Sequence, residues 1–193
     1  MKHSISLYSI SIVMLLMLLS CSAISDIFNG NGVVKVKNKQ RMAYYDDFLK
    51  DTLHYGVYIH TLKNKEALVE TRAKFAGFPE AYIFDKYHKN AFFVSCSKNT
   101  GNEINALNQR ALDSLTSVDF ELLQDFRKLV LMKTKTVFAH DNLFMQETQK
   151  HTLDVYLLCN TKVGKKELKK LENLRNLQDL ATIHILDLSL QEN

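Results

Sequence analysis

The chain has 193 residues, 46% of them hydrophobic and 24% charged, with one proline and six glycines. That is an ordinary globular composition with room for one sizeable core or two small ones. The net charge of +4 is mild and no Lys/Arg block dominates, which argues against a nucleic acid as partner.

Met1-Lys2-His3 supplies a short basic start, and residues 10–19 (ISIVMLLMLL) an apolar run. A run of that length is too short to cross a hydrocarbon core of ~30 Å, so residues 1–20 read as a signal segment. The run stops at Leu18-Leu19-Ser20-Cys21, which resembles the lipobox of bacterial lipoproteins. In that family the cysteine is lipidated and becomes the first mature residue. The resemblance therefore implies lipidation at Cys21, attachment to a membrane through the N-terminal lipid, and an address in the cell envelope. Ser22 stands where retention signals often place Asp, which leans towards the outer membrane with the protein facing the periplasm. An ordinary cleaved signal peptide with an incidental cysteine is the alternative. Cys96 and Cys159 remain; an exported compartment permits a disulfide between them, and two buried thiols fit equally well.

Residues 21–40 hold two glycines among Asn, Ser and Lys and read as a tether, with VVKVK as a short strand. Residues 41–50 (RMAYYDDFLK) read as one short helix. Adjacent Asp46 and Asp47 would not face one another on it, so they make a poor acid/base pair.

Residues 57–115 read as one unit written twice: an apolar-rich strand, a Lys-Asn pair (Lys63-Asn64, then Lys98-Asn99), and an amphipathic helix. In the first strand Val57 and Ile59 share one face, Tyr58 and His60 the other; in the second half Phe92 and Val94 oppose Phe93 and Ser95. Asn64 is placed to cap a helix carrying Ala67, Leu68, Thr71 and Phe75, which Gly77 and Pro79 end. Residues 80–84 form the next strand, 85–90 a polar turn, and Ile104, Leu107, Ala111 and Leu115 the stripe of a second helix.

The segments VYIHTLKN, KEALVETRAKF, AGF, EAYIF and then FFVSCSKN resemble the sporulation-related repeat (SPOR) domain of bacterial envelope proteins over residues 53–122. His60 and Ser95 depart from the glycines usual in that family, and Leu62 and Ser97 from its aromatic position. The resemblance implies an α/β fold of the α+β kind, a βαββαβ ferredoxin-like sheet with helices on one face, occupying residues 41–122. Residues 123–193 would extend it as a C-terminal βαβ segment. The resemblance also implies binding of peptidoglycan glycan strands on the free sheet face. Carried over by position, that face holds Tyr58, His60, Phe93 and Ser95, with Thr61 and Asn64 at the turn and Tyr82 joining from the neighbouring strand. Flat rings against sugar faces, rimmed by short polar groups, are what such recognition requires. Burial of the same aromatics beneath the C-terminal segment is the competing reading.

In the last third, residues 116–132 show a helical stripe, although 118–122 also fits a last SPOR strand. Residues 135–139, 152–159 and 182–188 read as strands, and 164–177 as a Lys-rich amphipathic helix with Leu168, Leu171, Leu174 and Leu177 on one side. Seven scattered histidines show no zinc spacing, and no Gly-rich phosphate loop or Gly-x-Ser-x-Gly is present. Cys159 follows a strand in a thioredoxin-like layout but has no second cysteine nearby, so no dithiol cycle can run there. The sequence thus predicts no catalytic residues, metal or cofactor. It favours a lipid-anchored, non-catalytic glycan-binding protein. The alternatives are an envelope scaffold that binds another protein of a secretion or envelope machine and, third, a redox-inactive thioredoxin-like lipoprotein.

Overall fold

Eight strands join one mixed sheet, and the segments that alternate in the sequence supply them. The computed structural model describes residues 34–50, 55–75, 79–95, 100–140, 152–161, 168–169, 171–177 and 180–192, all within one compact unit, Val34–Asn193. The signal segment, Cys21, the tether up to residue 33, Gly77 and Cys96 lie outside the described residues.

In chain order the elements are β1 (Lys35–Val36), α1 (Asn38–Tyr44), α2 (Asp46–Leu49), β2 (Tyr55–Leu62), α3 (Lys65–Lys74), β3 (Glu80–Asp85) and β4 (Asn90–Ser95). There follow α4 (Thr100–Asn108), β5 (Thr116–Ser117), α5 (Leu122–Lys133), β6 (Thr134–His140), β7 (Thr152–Cys159) and β8 (Leu180–Gln191). The expected helix over 41–50 is two helices that break at Tyr45. Asn64 caps α3 as expected, its side-chain oxygen accepting the Ala67 N–H at 2.9 Å. Leu168, Leu171, Leu174 and Leu177 are all buried, but residues 172–176 wind as a 3₁₀ turn rather than continuing a long helix.

The strand order is β5-β4-β3-β7-β8-β2-β6, with β1 lying beside the end of β8. β7, β8 and β2 run parallel; β3 is antiparallel to β7 and β4, and β6 is antiparallel to β2. Strands from residues 123–193 therefore stand between β2 and β3, and the two parts of the chain share one sheet. β2 and β4, the two strands of the repeat, lie four places apart in the sheet, with β8, β7 and β3 between them.

Helices cover both faces, which corrects the expectation of helices on one face. Val57, Ile59, Ile83, Val94, Val155, Leu157, Ile183 and Ile185 point one way, against Tyr45 and Phe48 of the first helices and Ile104 and Leu107 of α4. Tyr82, Phe84, Tyr156, Leu158, Leu186 and Leu188 point the other way, against Leu68 of α3 and Leu123 and Phe126 of α5. The physical reason is visible in β3, where all six residues are buried. A strand apolar on both sides needs cover on both.

At the carboxyl ends of the three parallel strands lies a closed polar knot. Arg41 of α1 donates from Nε to Asp187 of β8 at 2.6 Å, and from its terminal nitrogens to Thr61 (3.2 Å), Ser189 (3.0 Å) and Gln191 (2.8 Å). Thr61 in turn donates to the Ser189 carbonyl at 2.6 Å. Cys159, paired in register with Asp187, is a free and fully buried thiol. Burial pushes its pKa up to about 12.

Candidate sheet-face site

One line of side chains crosses five strands at a single register. Phe93 of β4 faces Tyr82 of β3, Tyr82 faces Tyr156 of β7, Tyr156 faces His184 of β8, and His184 faces Tyr58 of β2. Side chains at one register stand on the same face of a sheet, so the sequence-predicted Tyr58, Tyr82 and Phe93 do share a face and a row. Tyr156 and His184 stand between them.

Within this row the rings stack. Phe126 of α5 lies 4.6 Å from Tyr156 at 19°, Tyr156 lies 4.7 Å from His184 at 11°, and His184 lies 5.1 Å from Tyr58 at 18°. Phe75 of α3 extends the stack at the covered end, 4.6 Å from Phe126. These separations suit offset stacking. At the other end the register partner of Tyr58 is Ala139 of the edge strand β6, an exposed methyl. Along its own strand Tyr58 runs parallel to His60, 6.3 Å away at 4°; across the sheet, among the described residues, no ring follows it.

The row is most covered at Tyr82 and Tyr156 and more open towards either end. Tyr82 is 8% exposed and Tyr156 2%; Tyr58, Phe93 and His184 are half-buried, while Thr136 and Ala139 are exposed. Tyr82 donates its hydroxyl to Glu80 at 3.1 Å, and burial followed by the Glu80 charge raises its pKa. Burial also pushes the Tyr156 phenol up to about 12. Asp154, two residues before Tyr156, is held by Lys86 at 2.9 Å and Arg127 at 3.4 Å.

His60 sits one row along, 2% exposed, and hydrogen-bonds two ways. Its Nδ1 lies 3.1 Å from Thr136 Oγ1 and its Nε2 lies 3.1 Å from His184 Nδ1. The two imidazole planes are within 19° and their centres 5.4 Å apart. The centres are further apart than the nitrogens by about the two centre-to-nitrogen radii, so these rings meet edge to edge. Burial lowers both pKa values to about 4, helped at His60 by the neighbouring His184. Both rings are neutral at pH 7.

The remaining predicted residues separate from this row. Thr61 points to the opposite face and is buried in the Arg41 knot. Asn64 is committed to capping α3. Ser95 ends β4 opposite Glu80. Sequence reading missed Tyr156, His184 and Thr136. All three lie in strands that it recognised, and their alternation was the available signal. What was missing was cross-strand register, which no single strand encodes.

No protein-family model, curated protein or solved structure matches the chain.

Proposed function

We propose that the protein is a lipid-anchored protein of the cell envelope that binds peptidoglycan glycan strands without catalysis, through the open end of the ring row formed by Tyr58 with His184, Thr136 and Ala139. The observation that supports this reading is that half-buried Tyr58 has the exposed Ala139, and no ring, as its register partner on the edge strand. A sugar ring stacking on Tyr58 would continue an existing column, with the Ala139 methyl leaving room for it and the Thr136 hydroxyl within the same patch. Tyr82, 8% exposed, packs within the row, while half-buried Phe93 stands edge-on to it at 5.3 Å. The resemblance of residues 53–122 to the SPOR domain supplies the ligand class, and the lipobox-like LLSC at Cys21 the address. Retention of the full chain on amidase-treated cell-wall sacculi, compared with untreated sacculi, tests the ligand. Detergent partitioning and mature mass of Cys21→Ser test the anchor. Equal loss on both kinds of sacculus, or unchanged partitioning of Cys21→Ser, would defeat the corresponding half of the reading.

A second reading, a scaffold for another envelope protein, is favoured by a different surface. Val69 of α3 and Leu131 and Met132 of α5 are 58%, 79% and 62% exposed. Met132 lines a groove between these helices, which ion pairs Lys74–Asp125 (2.6 Å) and Lys133–Glu70 (2.8 Å) bridge. Leu131→Lys combined with Met132→Lys, with sacculus binding intact, would separate this surface from the ring row in cross-linking experiments.

A further inference from the structure

The geometry points to a metal site between His60 and His184, of the two-coordinate kind that a soft monovalent cation of the copper(I) class adopts. The two nitrogens face one another across 3.1 Å, with the rings edge to edge and within 19° of a common plane. An imidazole lone pair lies in the ring plane, so a cation on the line between His60 Nε2 and His184 Nδ1 would meet both ligands head on. Imidazole is a favoured copper ligand.

The setting selects for this kind of ion. Among the described residues no group of three or more His, Cys, Asp or Glu is placed to hold a metal, whereas zinc sites normally draw on three or four protein ligands. Asp154, two residues before Tyr156 on the same strand, is already held by Lys86 and Arg127. Two neutral ligands in a pocket where His60 is 2% exposed give little compensation for stripping a strongly hydrated divalent ion. A monovalent ion that is satisfied by two ligands in a line loses least there.

The rings are also held so that they can part. Tyr58 and Tyr156 flank His184 on its two faces, which fixes the plane of the imidazole but not its position within that plane. Metal–imidazole bonds run about 2.0 Å, so a linear bridge spans roughly 4 Å and requires the two nitrogens to separate by roughly 1 Å. The site therefore requires a shift of roughly 1 Å within the plane of the His184 ring, the direction in which its stacking on Tyr58 and Tyr156 is best kept.

The hydrogen on the His–His line must leave it when the cation enters. If it resides on His60 Nε2 it transfers to Nδ1 of the same ring, which then donates to Thr136 Oγ1 instead of accepting from it. If it resides on His184 Nδ1 it transfers to that ring's Nε2. Either way both imidazoles stay neutral, no proton is released and no electron moves.

The test uses the folded full chain after native alkylation, titrated anaerobically with copper(I) and, as a redox-stable stand-in, with silver(I); because buried Cys159 stays unmodified, Cys159→Ala is titrated in parallel and should keep the site. One tight equivalent is expected, with an X-ray absorption signature of two nitrogen ligands, and nitrogen NMR should shift at His60 Nε2 and His184 Nδ1 of the unmodified sequence. His184→Gln and His60→Gln should each lose that equivalent, while His88→Gln and His140→Gln, at exposed positions, should keep it. Circular dichroism of each variant identifies any that fails to fold, and the NMR arm needs no variant. Unchanged uptake by His184→Gln, shifts at other histidines, a four-coordinate or methionine-sulfur signature, or no tight equivalent would overturn the assignment.

Discussion

Arg41 of the first helix and Asp187 of the last strand meet at 2.6 Å with neither side chain exposed. Removing one partner of such a pair strands the other charge in the interior. Asp187→Ala or Arg41→Ala should therefore cost about 3–5 kcal/mol in a denaturant titration. Arg41→Met combined with Asp187→Leu should recover most of that loss, since a well-packed apolar pair can replace a buried ion pair at little cost. A double variant no more stable than the single ones would show that the surrounding Thr61, Ser189 and Gln191 contacts carry the effect.

The buried imidazole pair sets an acid limit on the metal-free protein. The pKa values of His60 and His184 fall from 6.5 to about 4 on folding. The unfolded chain thus takes up protons first. The stability that neutral rings confer is whole above pH 6.5 and is lost as the pH falls towards 4. A shift of that size is worth about 3 kcal/mol for each ring, and because two charged imidazoles repel, the folded pair takes up its second proton later still. Urea titrations between pH 7 and 4 should show a steeper loss in the parent than in His184→Gln; parallel curves would remove the imidazoles as its cause.

Tyr58 and Val57 are neighbours on opposite faces, and they should separate binding from stability. Tyr58→Ala is expected to lower sacculus retention about fivefold to tenfold, the effect of roughly 1–1.4 kcal/mol of lost ring stacking, while changing the melting temperature little. Val57, fully buried, should do the reverse as Val57→Ala, costing about 1–3 kcal/mol through the cavity it leaves. If Tyr58→Ala unfolds the domain or binds walls as well as the parent, the ring row is not the binding face.

Asn64 provides a control within the residues that the SPOR resemblance nominated. Because its side chain caps α3, Asn64→Ala should cost about 1 kcal/mol of stability and leave wall binding at parental strength. Weakened binding at unchanged stability would restore it to the recognition surface.

Cys159 should be inert. A wholly buried thiol whose pKa is pushed up to about 12 presents almost no thiolate at pH 8. Peptide mapping after native alkylation should find Cys159 unmodified, and modified once the protein is unfolded. Rapid native labelling would show that the Arg41 knot opens readily.

The elements were more legible than their arrangement. Residues 152–159, read as a strand from TLDVYLLC, form β7 with those bounds, and Asn64 announced its helix start because capping is a local interaction. The sheet order was not legible. β2 leads through α3 to β3, yet β3 lies three places away because β8 and β7 fill the gap, and pairing between distant segments leaves no local trace. The same blindness hid the ring row. Tyr58, Tyr82 and Phe93 could be assigned a face by alternation, but that His184 stands between Tyr58 and Tyr156 follows only from the parallel register of β2, β8 and β7.

The parallel alignment of β1 with the end of β8 decides how the domain bears load. The Leu190 N–H donates to the Val34 carbonyl at 2.7 Å and the Glu192 N–H to the Val36 carbonyl at 3.1 Å, and Lys35 and Val36 run beside Leu190 and Gln191 in the same direction. Tension applied at Val34 along the strand axis would pull across these bonds in shear, stretching them together instead of unzipping them one at a time. Five residues further on, the Arg41 guanidinium is pinned to β8 at Asp187, Ser189 and Gln191 and would bear the load next. A domain pulled from its N-terminal side would therefore resist as a clasp, yielding late and abruptly.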